Sequence, residues 1–203
     1  MLQGNWKLAA ENFLDNYHLP WVHPEIGSSA EASLGTGVGL ENLLLSENII
    51  GFSHPTAGAD KGKTDMPLPA WQKLIEPENQ RQDLFFLFPN TCLVMEGYYL
   101  WSMILLPGSV ASVDEKLALY VVGDEAMESQ FESSRNQLAR LIYKVNSQDE
   151  IAVRNLQKGR QTDAASCGVY SDYHDQLGKW FHQSVARKML RSANTELNIA
   201  MDG

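Results

Sequence analysis

Between residues 84 and 122 the chain is a close succession of aromatic and β-branched runs, at 84–88, 91–97, 98–106 and 115–122. Only short turn signals separate them: Pro89-Asn90, Gly97 and Pro107-Gly108. Connections that short join strands as hairpins, because a parallel pairing needs a crossover of roughly a dozen residues or more. The runs therefore predict an antiparallel sheet. Directly after Gly123 the pattern changes. Residues 124–158 contain neither Gly nor Pro, and Met127, Phe131, Leu138, Leu141, Ile142, Val145, Ile151 and Leu156 recur at helical spacing. This stretch predicts one long helix over 124–160, or two with a break at 146–148. A last amphipathic helix is predicted over 173–190, through Leu177, Trp180, Phe181, Val185 and Met189. Strands followed by helices define an α+β class rather than a doubly wound one.

Ahead of the sheet, residues 5–19 predict a helix, with Trp6, Leu8, Ala9, Phe13, Leu14 and Tyr17 along one stripe. Pro20 should disturb it and Pro24 should end it. Residues 26–40, rich in Gly, Ser and Ala, predict a loop; 41–53 predicts a strand. Residues 54–83 carry four prolines, with a short helix near 71–75. The 203 residues show no internal repeat and fit one domain, 1–203.

Composition removes whole classes of function. Sixteen basic residues against 25 acidic ones leave a net charge of −9, which gives nucleic acid no electrostatic footprint and anionic lipid no attraction. No apolar run approaches the roughly 18 residues of a membrane span, and no secretory signal opens the chain, so a cytoplasmic protein is expected. Cys92 and Cys167 are the only cysteines. Two thiols build neither a four-thiolate zinc site nor a four-cysteine iron–sulfur cluster. Any metal must be held by histidine and carboxylate.

Of the five histidines, His18 and His23 form the closest pair. Five residues on an unbroken helix put two rings on different faces, but a distortion at Pro20 brings them to one side. Glu11, Asp15 and His18 share a helical stripe, with Asn12 beside it, so a carboxylate is available for the ring nitrogen that a metal leaves free. The same residues also suit a helix with solvated acids before a proline turn. Two histidines and one carboxylate with open positions describe a non-haem ferrous site. The third ligand is sought in 146–159, at Asp149 or its neighbour Glu150; Asp149 equally suits the cap of a second helix, with Ser147 sharing that task. His54, His174 and His182 are given no metal role, the last two being expected to face solvent or cap the final helix.

Residues 5–25, NWKLAAENFLDNYHLPWVHPE, resemble the first iron-ligand segment of the catalytic domain of Rieske-type ring-hydroxylating oxygenase α subunits. The matching positions are Asn5, Trp6, Lys7, Glu11, Asn12, Asp15, Tyr17, His18, His23 and Pro24. Residues 88–108 are similar to the family's central strands. The run QDEIAVRNLQKG is similar to the stretch carrying its iron carboxylate, with Gln157 and Gly159 following Asp149. The spacing of the acid before Tyr-His is more like the branch handling quaternary amines and other small substrates than the naphthalene type.

The resemblance implies a helix-grip fold (START/Bet v 1-like), an antiparallel sheet packed on a long C-terminal helix with a pocket between them. It implies a mononuclear Fe(II) held by His18, His23 and Asp149, and O2 used to hydroxylate or demethylate a small organic substrate. Asn12 matches a residue beside the iron. Asp15 matches the acid that, in the family, bridges subunits and relays electrons from a neighbour's cluster, which implies homotrimers. Trp21, Tyr98 and Trp101 are available for an aromatic substrate wall, and each also suits the core. The chain has neither the Cys-x-His nor the Cys-x-x-His pair of a Rieske domain, so no [2Fe-2S] cluster is expected in it. The electron donor is then a separate Rieske domain or protein. A non-catalytic helix-grip binding module and a zinc hydrolase using the same three ligands are the alternatives.

Overall fold

The computed structural model describes residues 1–24, 43–55, 68–75, 81–166, 168–172 and 174–201. The loop expected at 26–40 lies outside these residues, as do Cys167 and the side chain of His54.

Six strands form one antiparallel meander in sequence order: β1 (Leu44–Leu45), β2 (Ile49–Pro55), β3 (Arg81–Leu87), β4 (Thr91–Glu96), β5 (Tyr99–Ser109) and β6 (Ser112–Val121). The single strand expected at 41–53 is instead a hairpin. Ser46 makes the turn, its amide donating to the Ile49 carbonyl at 2.8 Å while its Oγ accepts from the Ile49 amide at 3.0 Å. A side chain that mimics the backbone in this way favours a turn over a continuing strand.

Strand β5 also outruns its expected end, passing through Pro107 and Gly108 before a turn at Val110-Ala111. Its pairing with β4 stops at Ile104, opposite Thr91. Pro107 thus pairs only with β6, opposite Val113, and its missing N–H falls on the side where no strand lies. A register shift between Pro107 and Ser109 absorbs the residue.

Helix α1 (Trp6–Leu14) is capped by Asn5, whose Oδ1 accepts from the Lys7 amide at 3.0 Å. It ends at Leu14, well before the expected 19. Asp15 leaves the helix with extended dihedrals, and its Oδ1 takes the Tyr17 amide at 2.8 Å. That Asx-type bond competes with helix continuation. Pro20 then helps to begin a second helix, the single turn α2 (Leu19–Val22), rather than distorting the first. A proline is tolerated in a first turn because the amide it lacks has no partner there. The expected short helix appears as α3 (Gln72–Ile75).

After two 3₁₀ turns at Asp124–Met127 and Ser129–Phe131, helix α4 (Glu132–Arg160) runs unbroken for 29 residues. There is no break at 146–148, and Ser147 caps no second helix: its Oγ donates back to the Lys144 carbonyl at 2.7 Å. Asp149 therefore lies in mid-helix, and the capping role weighed for it falls away. Helix α5 (Gln176–Met201) starts later than expected and runs past 190. Among the described residues no helix is long and apolar enough to cross a membrane.

Alternate residues of the sheet face inward: Ile50 and Phe52, Leu84 and Phe86, Cys92 and Val94, Met103 and Leu105, and Val113. They pack with Leu8, Ala9 and Leu14 of α1, Val153 of α4, and Leu177 and Phe181 of α5. The ring of Phe181 meets Phe86 and Trp6 edge-on, at 5.3 and 5.9 Å between centroids. The N-terminal residues are clamped down as well. Leu2 bridges to Val113, the Asn5 amide donates to Gln157 Oε1 at 2.8 Å, and a Cβ on Gly4 would come within 2.6 Å of Val153. That contact holds α1 against the middle of α4.

Candidate metal centre

Helix α2 carries a histidine at each end, His18 at its N-cap and His23 at its C-cap. One helical turn between them, instead of five residues of continuous helix, turns both rings toward α4. Their Nε2 atoms come within 3.3 Å of each other. Both face Oδ1 of Asp149, at 3.3 Å from His18 and 3.0 Å from His23. The three ligand atoms all lie within 4.8 Å of one another. The expected His18, His23 and Asp149 are thus brought together; Glu150, the alternative, is exposed and not part of the group.

The surrounding groups orient each ligand. Nδ1 of His18 lies 3.3 Å from Asp15 Oδ2, and Nδ1 of the buried His23 lies 2.9 Å from Gln148 Oε1. Both partners accept, so each Nδ1 carries the hydrogen and the Nε2 lone pairs are left to converge. Asn12, itself buried, donates from Nδ2 to Asp149 Oδ1 at 2.8 Å. Two imine nitrogens and one carboxylate oxygen within 4.8 Å of one another make a donor set that fits a divalent first-row metal.

Asp149 and His18 shift each other's protonation. Burial raises the Asp149 carboxyl, but hydrogen bonds from His18, His23 and Asn12 outweigh this and hold it at about 2. Burial lowers His18, but the Asp149 and Asp15 carboxylates outweigh this and carry it up to about 9. Without a metal, a proton on His18 occupies the place of the positive charge.

Two recesses flank this cluster. A cavity of about 130 Å³ lies between sheet and α4, lined among others by Leu84, Val94, Tyr99, Trp101, Met103 and Ile142, with the two histidines and Asp149 in its wall. On the other side of α1, a cleft of about 970 Å³ opens to solvent past Glu11, Asp15, Arg160, Tyr170 and His182. Asp15 stands between the two, its carboxylate on His18 and its side chain 41% exposed.

Of the three aromatics expected as a substrate wall, Trp101 lines the cavity, edge-on to Phe13 at 6.1 Å. The structure places Trp21 75% exposed on the outside of α2, since the two histidines occupy the face of that turn which looks inward. Tyr98 sits in the β4–β5 turn against a minor cluster, and its neighbour Tyr99, on the inward row of β5, lines the cavity instead. His182 is not a solvent-facing residue: its Nε2 meets Glu11 Oε1 at 2.7 Å and its Nδ1 the Tyr170 hydroxyl at 2.6 Å. Glu11 is thereby drawn to α5 and does not reach His18. His174, exposed as expected, precedes α5 and stacks obliquely on Tyr17 at 5.1 Å. Sequence reasoning also missed Gln148, Asn146 and Glu115. A signal existed only for Glu115, a charged residue on an inward-facing position between Val113 and Leu117.

The structure is thus an antiparallel sheet folded against a long helix, with two histidines and an aspartate that could hold a metal ion in the wall of the cavity between them. Residues 1–191 match the family described as the ring hydroxylating alpha subunit (catalytic domain), and the chain belongs to that family of oxygenase enzymes. A quaternary ammonium Rieske monooxygenase, solved in connection with carnitine oxidation by gut microbiota, superposes with a TM-score of 0.66 at 13% identity, over 92% of this chain and 47% of that one. Dicamba monooxygenase bound to dicamba gives 0.64 at 12% identity, over 95% and 57%. The terminal oxygenase of carbazole 1,9a-dioxygenase from Nocardioides aromaticivorans IC177 gives 0.58 at 17% identity, over 92% and 56%. The chain thus spans about half the length of these solved proteins. Comparison with the curated proteins gives no match.

Proposed function

We propose that this chain is the catalytic domain of a Rieske-type oxygenase, holding one Fe(II) with His18, His23 and Asp149 and oxidising a small organic substrate. The observation that carries the proposal is the convergence of the two Nε2 atoms and Asp149 Oδ1 within 4.8 Å, each histidine fixed from behind by an acceptor. Ferrous iron bound there would supply the reductive activation of O2, using two electrons and two protons for each oxygen atom inserted into a C–H bond and each water released.

The chain's own residues do the rest. Asn12 holds the Asp149 carboxylate by one oxygen and so fixes its direction. Gln148 and Asp15 fix the two rings. Leu84, Val94, Trp101 and Met103 exclude water from the cavity and press the substrate toward the ligand cluster. Asp15, exposed on the far cleft yet hydrogen-bonded to His18, is the point where electrons from a Rieske cluster would enter, on another domain, another protein or a neighbouring subunit of a trimer. A cytoplasmic setting suits the free, buried thiol of Cys92.

The test is metal analysis with single-turnover oxygen consumption. Anaerobic loading with Fe(II) should give one iron per chain, lost in His18→Ala and His23→Ala, and chemical reduction under oxygen should consume O2. Iron uptake in the two variants equal to that of the parent chain would sink the proposal. Zinc in the same site with hydrolytic activity and no oxygen uptake would support the hydrolase instead.

A further inference from the structure

The cavity beside the ligand cluster holds one carboxylate that the metal site does not use. Glu115 lies on the inward row of β6, where its neighbours two residues away are Val113 and Leu117. Its Oε2 accepts a single hydrogen bond, from Asn146 Nδ2 of α4, at 2.9 Å. Oε1 takes no hydrogen bond, and no lysine, arginine or histidine pairs with the carboxylate among the described residues. Val94, Trp101, Met103, Leu117 and Ile142 give the same wall its apolar part, while His18, His23 and Asp149 supply polar groups on the metal-ligand side and Gln82 lies on β3. A partly buried carboxylate with half its acceptor capacity unused is costly to a fold unless something else completes it.

We propose that Glu115, oriented by Asn146, is the polar anchor of this cavity and selects a small substrate bearing an N–H ammonium group. The inference rests on reading the cavity as the substrate site. Charge argues for a cation at Oε1, because Glu115 is itself an anion with Glu150 as a further negative neighbour and only the N-terminal amine opposing them, while the charge of Asp149 is taken up by the metal it holds. The free Oε1 argues for a donor as well as a charge, since a charge-assisted N–H···O bond is about twice as strong as a neutral one. The rings of Trp101 and Phe13 offer faces to the same cation. Size sets a ceiling: a cavity of about 130 Å³ is close to the roughly 150 Å³ that accommodates benzene, so the enclosed part of the substrate is no larger than one ring. Asn146 precedes Asp149 by three residues, so the anchored nitrogen and the metal ligand are about one helical turn apart.

Equilibrium binding to the zinc-loaded chain, measured calorimetrically with matched probes, tests this without turnover. Benzylammonium should bind about tenfold tighter than benzyl alcohol or better, and trimethylammonium should outcompete tetramethylammonium, which has no N–H. Glu115→Gln should abolish these preferences while keeping the binding of benzyl alcohol, which shows that the cavity is intact. Equal affinity for amine and alcohol, a cation preference that survives Glu115→Gln, or no binding of any probe would each overturn the proposal. Anaerobic Fe(II) loading of a separate, metal-free sample distinguishes the two readings: a cation preference in a chain that takes up no iron would remove the iron-site reading and leave the anchor standing.

Discussion

Gln148 Oε1 lies 2.9 Å from Nδ1 of His23, and the next residue in the chain is Asp149, whose carboxylate meets Nε2 of the same ring at 3.0 Å. Two consecutive residues of α4 thus hold one imidazole from both of its nitrogens. Gln148→Leu keeps the volume and removes the acceptor, freeing the ring to rotate or change tautomer. Metal affinity should fall by about 10–100-fold, the range found when such supporting partners are removed. Chelator competition measures it, and Gln148→Glu should recover most of the loss.

The pH dependence of metal binding has a definite sign. With His18 raised to about 9, a divalent ion must displace its proton at neutral pH. Apparent affinity should therefore climb about tenfold for each pH unit and level off above 9. Titration calorimetry in buffers of different ionisation enthalpy should count one proton released per ion. A flat profile would contradict the coupling between His18 and its carboxylates.

The metal-free protein should show the mirror image in its stability. A histidine raised in the folded state stabilises fully below its ordinary 6.5, and that contribution is lost as pH rises through 9. An aspartate lowered to about 2 stabilises above its ordinary 3.8, and that contribution is lost as pH falls toward 2. Urea midpoints of the metal-free chain should thus decline on both sides, and His18→Gln should remove the alkaline decline and lessen the acid one, because His18 supplies the main hydrogen bond that holds Asp149 low.

Asp15→Asn separates electron entry from metal binding. The amide has one acceptor oxygen where the carboxylate has two, so it keeps the His18 Nδ1 hydrogen bond by giving up the Tyr17 amide; with the ligand tautomer of His18 kept, iron stoichiometry should be retained. Reoxidation kinetics on mixing with a reduced Rieske donor should slow by about 10–100-fold. Unchanged rates with full iron would place the entry point elsewhere on the cleft.

Phe181 is fully buried between the sheet and α1, in edge contact with Phe86 and Trp6. Phe181→Ala should cost about 3–5 kcal/mol in urea unfolding, because the sheet and α1 cannot both collapse into the space it leaves. Val169→Ala, at a side chain 98% exposed, should cost less than about 0.5 kcal/mol.

The sheet was legible because its inward residues alternate with others through 84–122, a pattern set by the two-residue repeat of a strand. The histidine pair was legible because its ligands sit close together in sequence. Local competition by polar side chains was harder to read. Asp15 ended α1 early through a bond to the Tyr17 amide, whereas Ser147 bonded back to Lys144 within an unbroken α4, although both look like helix breakers in sequence. Contacts between distant segments left no trace at all. Nothing near Glu11 points to His182 or Arg160, yet all three meet in one place, joining α1 to α5 and α4. Asn146, one turn before a predicted ligand, carried no sign that it would face Glu115.

Helix α4 presents Ile142, Asn146, Asp149 and Val153 at intervals of three or four residues, all toward the same cavity or core. Metal ligand, substrate-side amide and packing residue are therefore carried by a single stiff rod, while most of the cavity's shape comes from the separate strands opposite. Exchanging Leu84, Val94, Met103 or Leu117 recontours the chamber without moving a donor atom. A domain built this way can acquire a new substrate through its strands and still inherit its oxidation chemistry whole.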